Sequence, residues 1–93
     1  TGDSMYPALK AGDILAVKEV KNKQNIIWGQ MYIVAISHKG DDYLLYKYIQ
    51  KSEKKGKIAL VSENKHHQPV EFPLSSVTAL GLIKVAVRFT SAI

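Results

Sequence analysis

Punctuation is what most limits this chain. Gly12-Asp13, Lys39-Gly40-Asp41, Lys55-Gly56-Lys57 and Gln68-Pro69 are turn signals. Between them, no stretch keeps a 3.6-residue apolar period long enough for an ordinary helix. What the pieces carry instead is β-branched and aromatic character. Asp13 to Val20, Met31 to Ser37, Asp42 to Gln50, Lys57 to Ser62 and Leu80 to Phe89 read as five strands. In the first, Leu15 and Val17 fall on one face and Ile14, Ala16 and Val20 on the other. The helical stretch is Pro7 to Ala11, about one turn, stopped by Gly12. Asn22 to Gln30 reads as a loop, whose Ile26, Ile27 and Trp28 either return to the core or form an exposed apolar patch. The expected fold is mainly β: a small barrel or sandwich with one short helical turn near the N-terminus.

With 93 residues there is room for one core, so residues 1–93 are expected to form a single domain. Hydrophobic residues at 46% and charged residues at 23% suit a folded globular domain and exclude disorder, collagen and coiled coil. The best apolar run, Met31 to Ile36, is six residues, far short of the ~20 that span a bilayer. The stretch Thr78 to Val87 is interrupted by Lys84. The first residues are polar and acidic, unlike a secretory signal. The chain begins without Met, so it is expected to be the C-terminal part of a longer protein. Cysteine is absent, which excludes disulfides, thiolate zinc sites and a cysteine nucleophile. No cofactor and no metal are expected, and the reading is a cytoplasmic protein without a membrane contact.

The formal net charge is +5, from thirteen basic against eight acidic residues, and Arg88 is the only arginine. A basic surface attracts phosphate. Base reading and bidentate phosphate clamps favour arginine, however, so a lysine-rich composition argues against sequence-specific nucleic-acid binding. Lys51, Lys54, Lys55 and Lys57 surround Gly56 and read as a solvated hairpin tip.

Nucleophilic chemistry is left to Ser, Thr and Lys. His66 and His67 lie in a polar stretch before Pro69, and adjacent side chains on extended chain point opposite ways. They and His38 read as loop and turn residues rather than ligands or triad members, and Asp41-Asp42 as turn chemistry rather than an acid/base pair. The N-terminus differs. In Thr1-Gly-Asp-Ser-Met-Tyr-Pro, Asp3 or Ser4 stands before a helical turn. Either is an N-cap, or Ser4 is a hydroxyl exposed where backbone N–H groups can hold an oxyanion. Lys47 sits inside the apolar strand Tyr43-Leu-Leu-Tyr-Lys-Tyr-Ile. It either faces solvent or enters an apolar pocket. Desolvation lowers a lysine pKa, and a serine with a neutral lysine is a nucleophile–base pair.

These residues resemble a known family. Gly2-Asp-Ser-Met-Tyr-Pro followed by Leu9-Lys-Ala-Gly-Asp-Ile-Leu-Ala-Val is similar to the opening of the LexA-like peptidase domain, the S24 serine peptidases. Gly29-Gln-Met-Tyr-Ile-Val-Ala-Ile resembles its second strand and Tyr43-Leu-Leu-Tyr-Lys-Tyr-Ile its lysine strand. Leu60-Val-Ser-Glu-Asn with Pro69, and Leu80-Gly-Leu-Ile-Lys-Val-Ala-Val-Arg, resemble later segments in the same order. Tyr48 stands where the family usually has a basic residue, and Gln30 where it often has Asp. The resemblance implies a LexA/signal-peptidase-like β fold and a serine–lysine dyad. Ser4 is then the nucleophile, Lys47 the base, and the backbone N–H groups of Asp3 and Ser4 the oxyanion hole. It further implies self-cleavage upstream of the serine, stimulated by a RecA filament in the SOS response. It implies homodimerisation, and operator DNA bound through an N-terminal domain.

Four readings follow: a LexA-like repressor's C-terminal domain, a UmuD-type translesion-synthesis accessory protein, a type I signal peptidase, and a non-catalytic binding or dimerisation module. The compact length and the lack of an apolar anchor weigh against the peptidase of signal sequences. Leu80 to Ile93 is the expected dimer segment, because its tail from Phe89 is apolar. Alternatively, Phe89 closes the core.

Overall fold

The computed structural model describes residues 5–89. Six strands make up most of it: β1 (Ile14–Glu19), β2 (Met31–His38), β3 (Asp41–Lys51), β4 (Lys57–Val61), β5 (Val70–Pro73) and β6 (Val77–Val87). Lys23–Asn25 and Leu74–Ser76 form single 3-10 turns. The strands build one antiparallel sheet in the order β1-β6-β2-β3-β4-β5. Among the described residues no helix is long and apolar enough to cross a membrane.

The β2–β3 hairpin is specified locally. Its two loop residues, Lys39 and Gly40, have φ of 52° and 84°, the left-handed pair that lets a two-residue turn follow the twist of its strands. With the turn fixed, His38 faces Asp41 and Tyr32 faces Lys47. That register puts Tyr32, Val34 and Ile36 in the core, beside Ile49 from β3 and Ile58 and Leu60 from β4. The Tyr32 hydroxyl, buried with its ring, accepts the Ile27 N–H at 2.9 Å. The sheet curls. Phe72 on edge strand β5 meets the rings of His38 and Tyr43 at centroid distances of 5.5 and 5.7 Å, so the far edge folds back over the β2–β3 hairpin and encloses the core. On the opposite face, Gly81 of β6 lies under Val17 and Ile33, and a Cβ there would overlap Val17 Cγ1 and come within 3.0 Å of Ile33 Cγ2.

The mainly β expectation holds, and three details differ. β5 is a sixth strand, outside the five expected. It is four residues long, follows Pro69 and ends on Pro73, which suits an edge strand that has a single neighbour. β6 starts at Val77, three residues before Leu80, with a register shift opposite Ala35 and Ile36. The expected helical stretch Pro7 to Ala11 is instead one turn placed earlier, with Leu9 N–H donating to Met5 O at 2.8 Å. It stops there because Lys10 N–H goes to Asp13 Oδ2 at 2.9 Å, a side-chain acceptor that competes with the helix ladder. In the loop after β1, both readings apply: Ile26 is buried in the core, while Ile27 and Trp28 are exposed.

Candidate active site

Lys47 occupies the core face of β3. Leu45, Lys47 and Ile49 share that face, and Ile49 is fully buried. The last β3–β4 ladder pair is Tyr48 with Val61. One step beyond it, Lys47 Nζ donates to Ser62 Oγ at 2.6 Å. Ser62 is buried in turn, at 8% exposure, because it continues the inward series Ile58, Leu60. Burial holds the Lys47 amine below the ordinary lysine range. An amine so placed is neutral over more of the pH range than a solvated one, and neutral it can take a proton from a hydroxyl brought to it.

The partner segment is anchored beside it. Met5 is 3% exposed, and its Sδ accepts the N–H of Glu63, the residue after Ser62, at 3.3 Å. Asp3 and Ser4, the expected oxyanion-hole residues and nucleophile, lie outside the described residues. Ser4 is joined directly to Met5 in the chain. Beside Met5 opens a cleft of about 260 Å³, walled by Leu9, Leu15 and Tyr46 with the Lys10–Asp13 turn.

That turn is fastened from the far end of the domain. Arg88 Nε and Nη2 donate to Asp13 Oδ1 and Oδ2, both at 3.0 Å, and Nη2 also reaches Pro7 O at 3.1 Å. The guanidinium holds the Asp13 carboxyl below its ordinary pKa, and the carboxylate raises that of Arg88. Replacing Arg88 by methionine is expected to free the Pro7–Asp13 turn without unfolding the sheet. Hydrogen exchange at Leu9 N–H should speed up by at least about tenfold, while Val34 and Leu60 stay protected. Equal acceleration at all three would mean that Arg88 serves the whole fold.

A second rung lies on the other face of β3. Tyr48 Oη donates to Glu63 Oε1 at 2.6 Å, and burial, followed by the Glu63 bond and charge, pushes the Tyr48 phenol up to about 12. The remaining candidates stay apart from this cluster. His66 and His67 are exposed in the β4–β5 connection, where Asn64 Oδ1 accepts the His66 N–H at 2.9 Å. Asp41 and Asp42 open β3 at the hairpin. Lys54 pairs with Glu71 across 3.6 Å at the Gly56 tip.

Ser62 and Met5 were not named as site residues by sequence reasoning. A signal for Ser62 was available, since it falls at the inward position of an alternating strand. Phe89, left open between core and surface, is 73% exposed.

No curated protein matches the chain. The model of one protein family, Peptidase S24-like, matches residues 1–84. That match covers the N-terminal segment, the lysine strand and most of β6. On that coverage the chain belongs to the Peptidase S24-like family.

Proposed function

We propose that this chain is the C-terminal self-cleavage and dimerisation domain of a LexA-like transcriptional regulator. In this reading residues 1–93 are one domain of a longer cytoplasmic protein, whose N-terminal domain binds operator DNA. Ser4 is the nucleophile and Lys47 its base. The single observation that carries the reading is the desolvated Lys47 amine, fixed on Ser62 next to the anchored Met5.

The chemistry runs as follows. Neutral Lys47 accepts the Ser4 hydroxyl proton as Oγ adds to a carbonyl of the upstream linker. The N–H groups of Asp3 and Ser4 stabilise the oxyanion. Collapse breaks the C–N bond, and Lys47 returns the proton to the leaving amine. Water then hydrolyses the acyl-serine. Ser62 contributes by accepting one Nζ–H, which fixes the direction of the nitrogen lone pair.

A docking route for the linker is at hand. β4 meets β3 only at Tyr48 to Lys51, so the Asp41–Lys47 half of β3 has no strand partner on that side among the described residues. A peptide adding there in extended form carries its backbone past the amine. Separating the domains by cleavage would relieve repression, with a RecA filament as the stimulus. Dimerisation is supported by Ile14, Val85, Val87 and Phe89, whose exposed apolar side chains follow the β1–β6 ribbon.

The test is self-cleavage of the longer protein at rising pH, with and without RecA on single-stranded DNA. Ser4→Ala and Lys47→Met run alongside. Cleavage of the parent upstream of Thr1 with both variants inert supports the dyad. A parent that stays whole under every condition overturns it and leaves a non-catalytic dimerisation module, for which the exposed ribbon is the evidence.

A further inference from the structure

The β3–β4 ladder ends in two rungs that point to opposite faces. Lys47 to Ser62 spans the core face, and Tyr48 to Glu63 the other. The second rung has an extra connection. Glu63, whose carboxylate takes the Tyr48 hydroxyl, gives its backbone N–H to Met5 Sδ. The phenol and the thioether are therefore linked through one residue. Neither Tyr48 nor Glu63 touches the Lys47 amine by any hydrogen bond, and burial alone accounts for that amine's depressed basicity.

We propose that the Tyr48–Glu63 pair is a positioning device: it fixes the Glu63 backbone, and Glu63 in turn fixes Met5, the residue joined in the chain to Ser4. The proposal rests on the dyad reading for its consequence and on geometry alone for its structural part. Three physical points carry it. A thioether is a weak acceptor, so the Met5 contact holds only if its donor is already aimed. The segment after Ser62 leaves the ladder at Val61, so no strand partner aims the Glu63 N–H. The short hydrogen bond from the Tyr48 hydroxyl to the Glu63 side-chain oxygen is the tie that does so. Tyr48 and Glu63 are positioning residues, not catalytic ones.

The experiment uses the two methionines, Met5 and Met31, as methyl probes. The protein is labelled with ¹³C-methyl methionine and compared with Tyr48→Phe and Glu63→Gln. Tyr48→Phe should move the Met5 methyl resonance toward its averaged, unfolded position, whereas Met31, which faces Tyr48 across the β2–β3 ladder, should show only the small shift of losing a neighbouring hydroxyl. Glu63→Gln keeps an oxygen acceptor and should leave Met5 near its parent shift. In the longer protein, Tyr48→Phe should slow self-cleavage about tenfold or more at every pH, with no displacement of the pH profile, and Glu63→Gln, which keeps the acceptor, should leave the rate within about twofold of the parent. An unchanged Met5 methyl in Tyr48→Phe overturns the proposal. So does a displaced pH profile, because the tyrosine would then act on the lysine. If the parent itself does not cleave, the dyad reading has failed separately, and the Met5 resonance still decides whether the pair holds that residue.

Discussion

Lys47→Met should stop self-cleavage, by at least about a thousandfold as for other nucleophile–base units, and should change the pH dependence of folding in a direction fixed in advance. Burial lowers the Lys47 pKa in the folded protein from its ordinary 10.5. The unfolded chain therefore binds more protons than the folded one between the two values. Unfolding free energy must rise with pH across that window. Below it the penalty of carrying a partly buried ammonium is fully present, and above it the penalty is gone. Methionine keeps the bulk and carries no charge. The parent should accordingly gain thermal stability relative to Lys47→Met as pH rises toward 10.5, with the other titrating groups cancelling in the difference. A difference that is flat or falls with pH would mean that the amine is solvated. The cleavage rate should follow the same group, rising about tenfold per pH unit and levelling off below the ordinary lysine value.

The largest loss of stability is expected at Leu60→Ala, about 3 kcal/mol and within the range of 2–5 for a buried leucine. Leu60 is fully buried and pairs with Ile49 on one side and Val70 on the other. Its removal leaves a void where β3, β4 and β5 meet, and for a domain this size the cost is a large share of the total, about 5–14 kcal/mol. Denaturant unfolding measures it, with half-buried Val61→Ala as the comparison. A loss below about 1 kcal/mol would show that these strands do not share a packed core. Because Leu60 precedes Ser62 by two residues on the same face, the variant should also loosen the Lys47 contact. Any fall in cleavage there has to be read against the stability measurement.

Much of this was legible in the chain, for reasons specific to certain residues. Lys39-Gly40 between two β runs has one dominant solution, and the β2–β3 hairpin adopted it. Met31, Ile33 and Ala35 are as apolar as Tyr32, Val34 and Ile36, so β2 reads as a strand without declaring its inner face. β3 is the same. Tyr43, Leu45 and Ile49 on one parity and Leu44, Tyr46 and Tyr48 on the other are equally apolar, so periodicity could not say which face takes Lys47. Only the register with β4 decides that. Arg88 was read as the lone arginine in a lysine-rich chain. Its carboxylate partner lies 75 positions away, and no local pattern predicts a contact at that range. β5 was hidden by Pro69 before it and Pro73 at its end, since prolines mark turns more often than edges. The Ser4 and Asp3 assignments rest on the family resemblance, because those residues lie outside the described part.

The strand order also dictates a timetable for synthesis. Among the described residues, β1 is made early but pairs only with β6, the last strand of the six to be made. Until β6 emerges, β1 has no neighbour, β2 lacks one of its two, and the Pro7–Asp13 turn lacks the Arg88 that fastens it. A nascent chain therefore carries Lys47 well before the fold around it can close. On the reading proposed above, self-cutting has to wait until β6 has emerged and closed the sheet over β1.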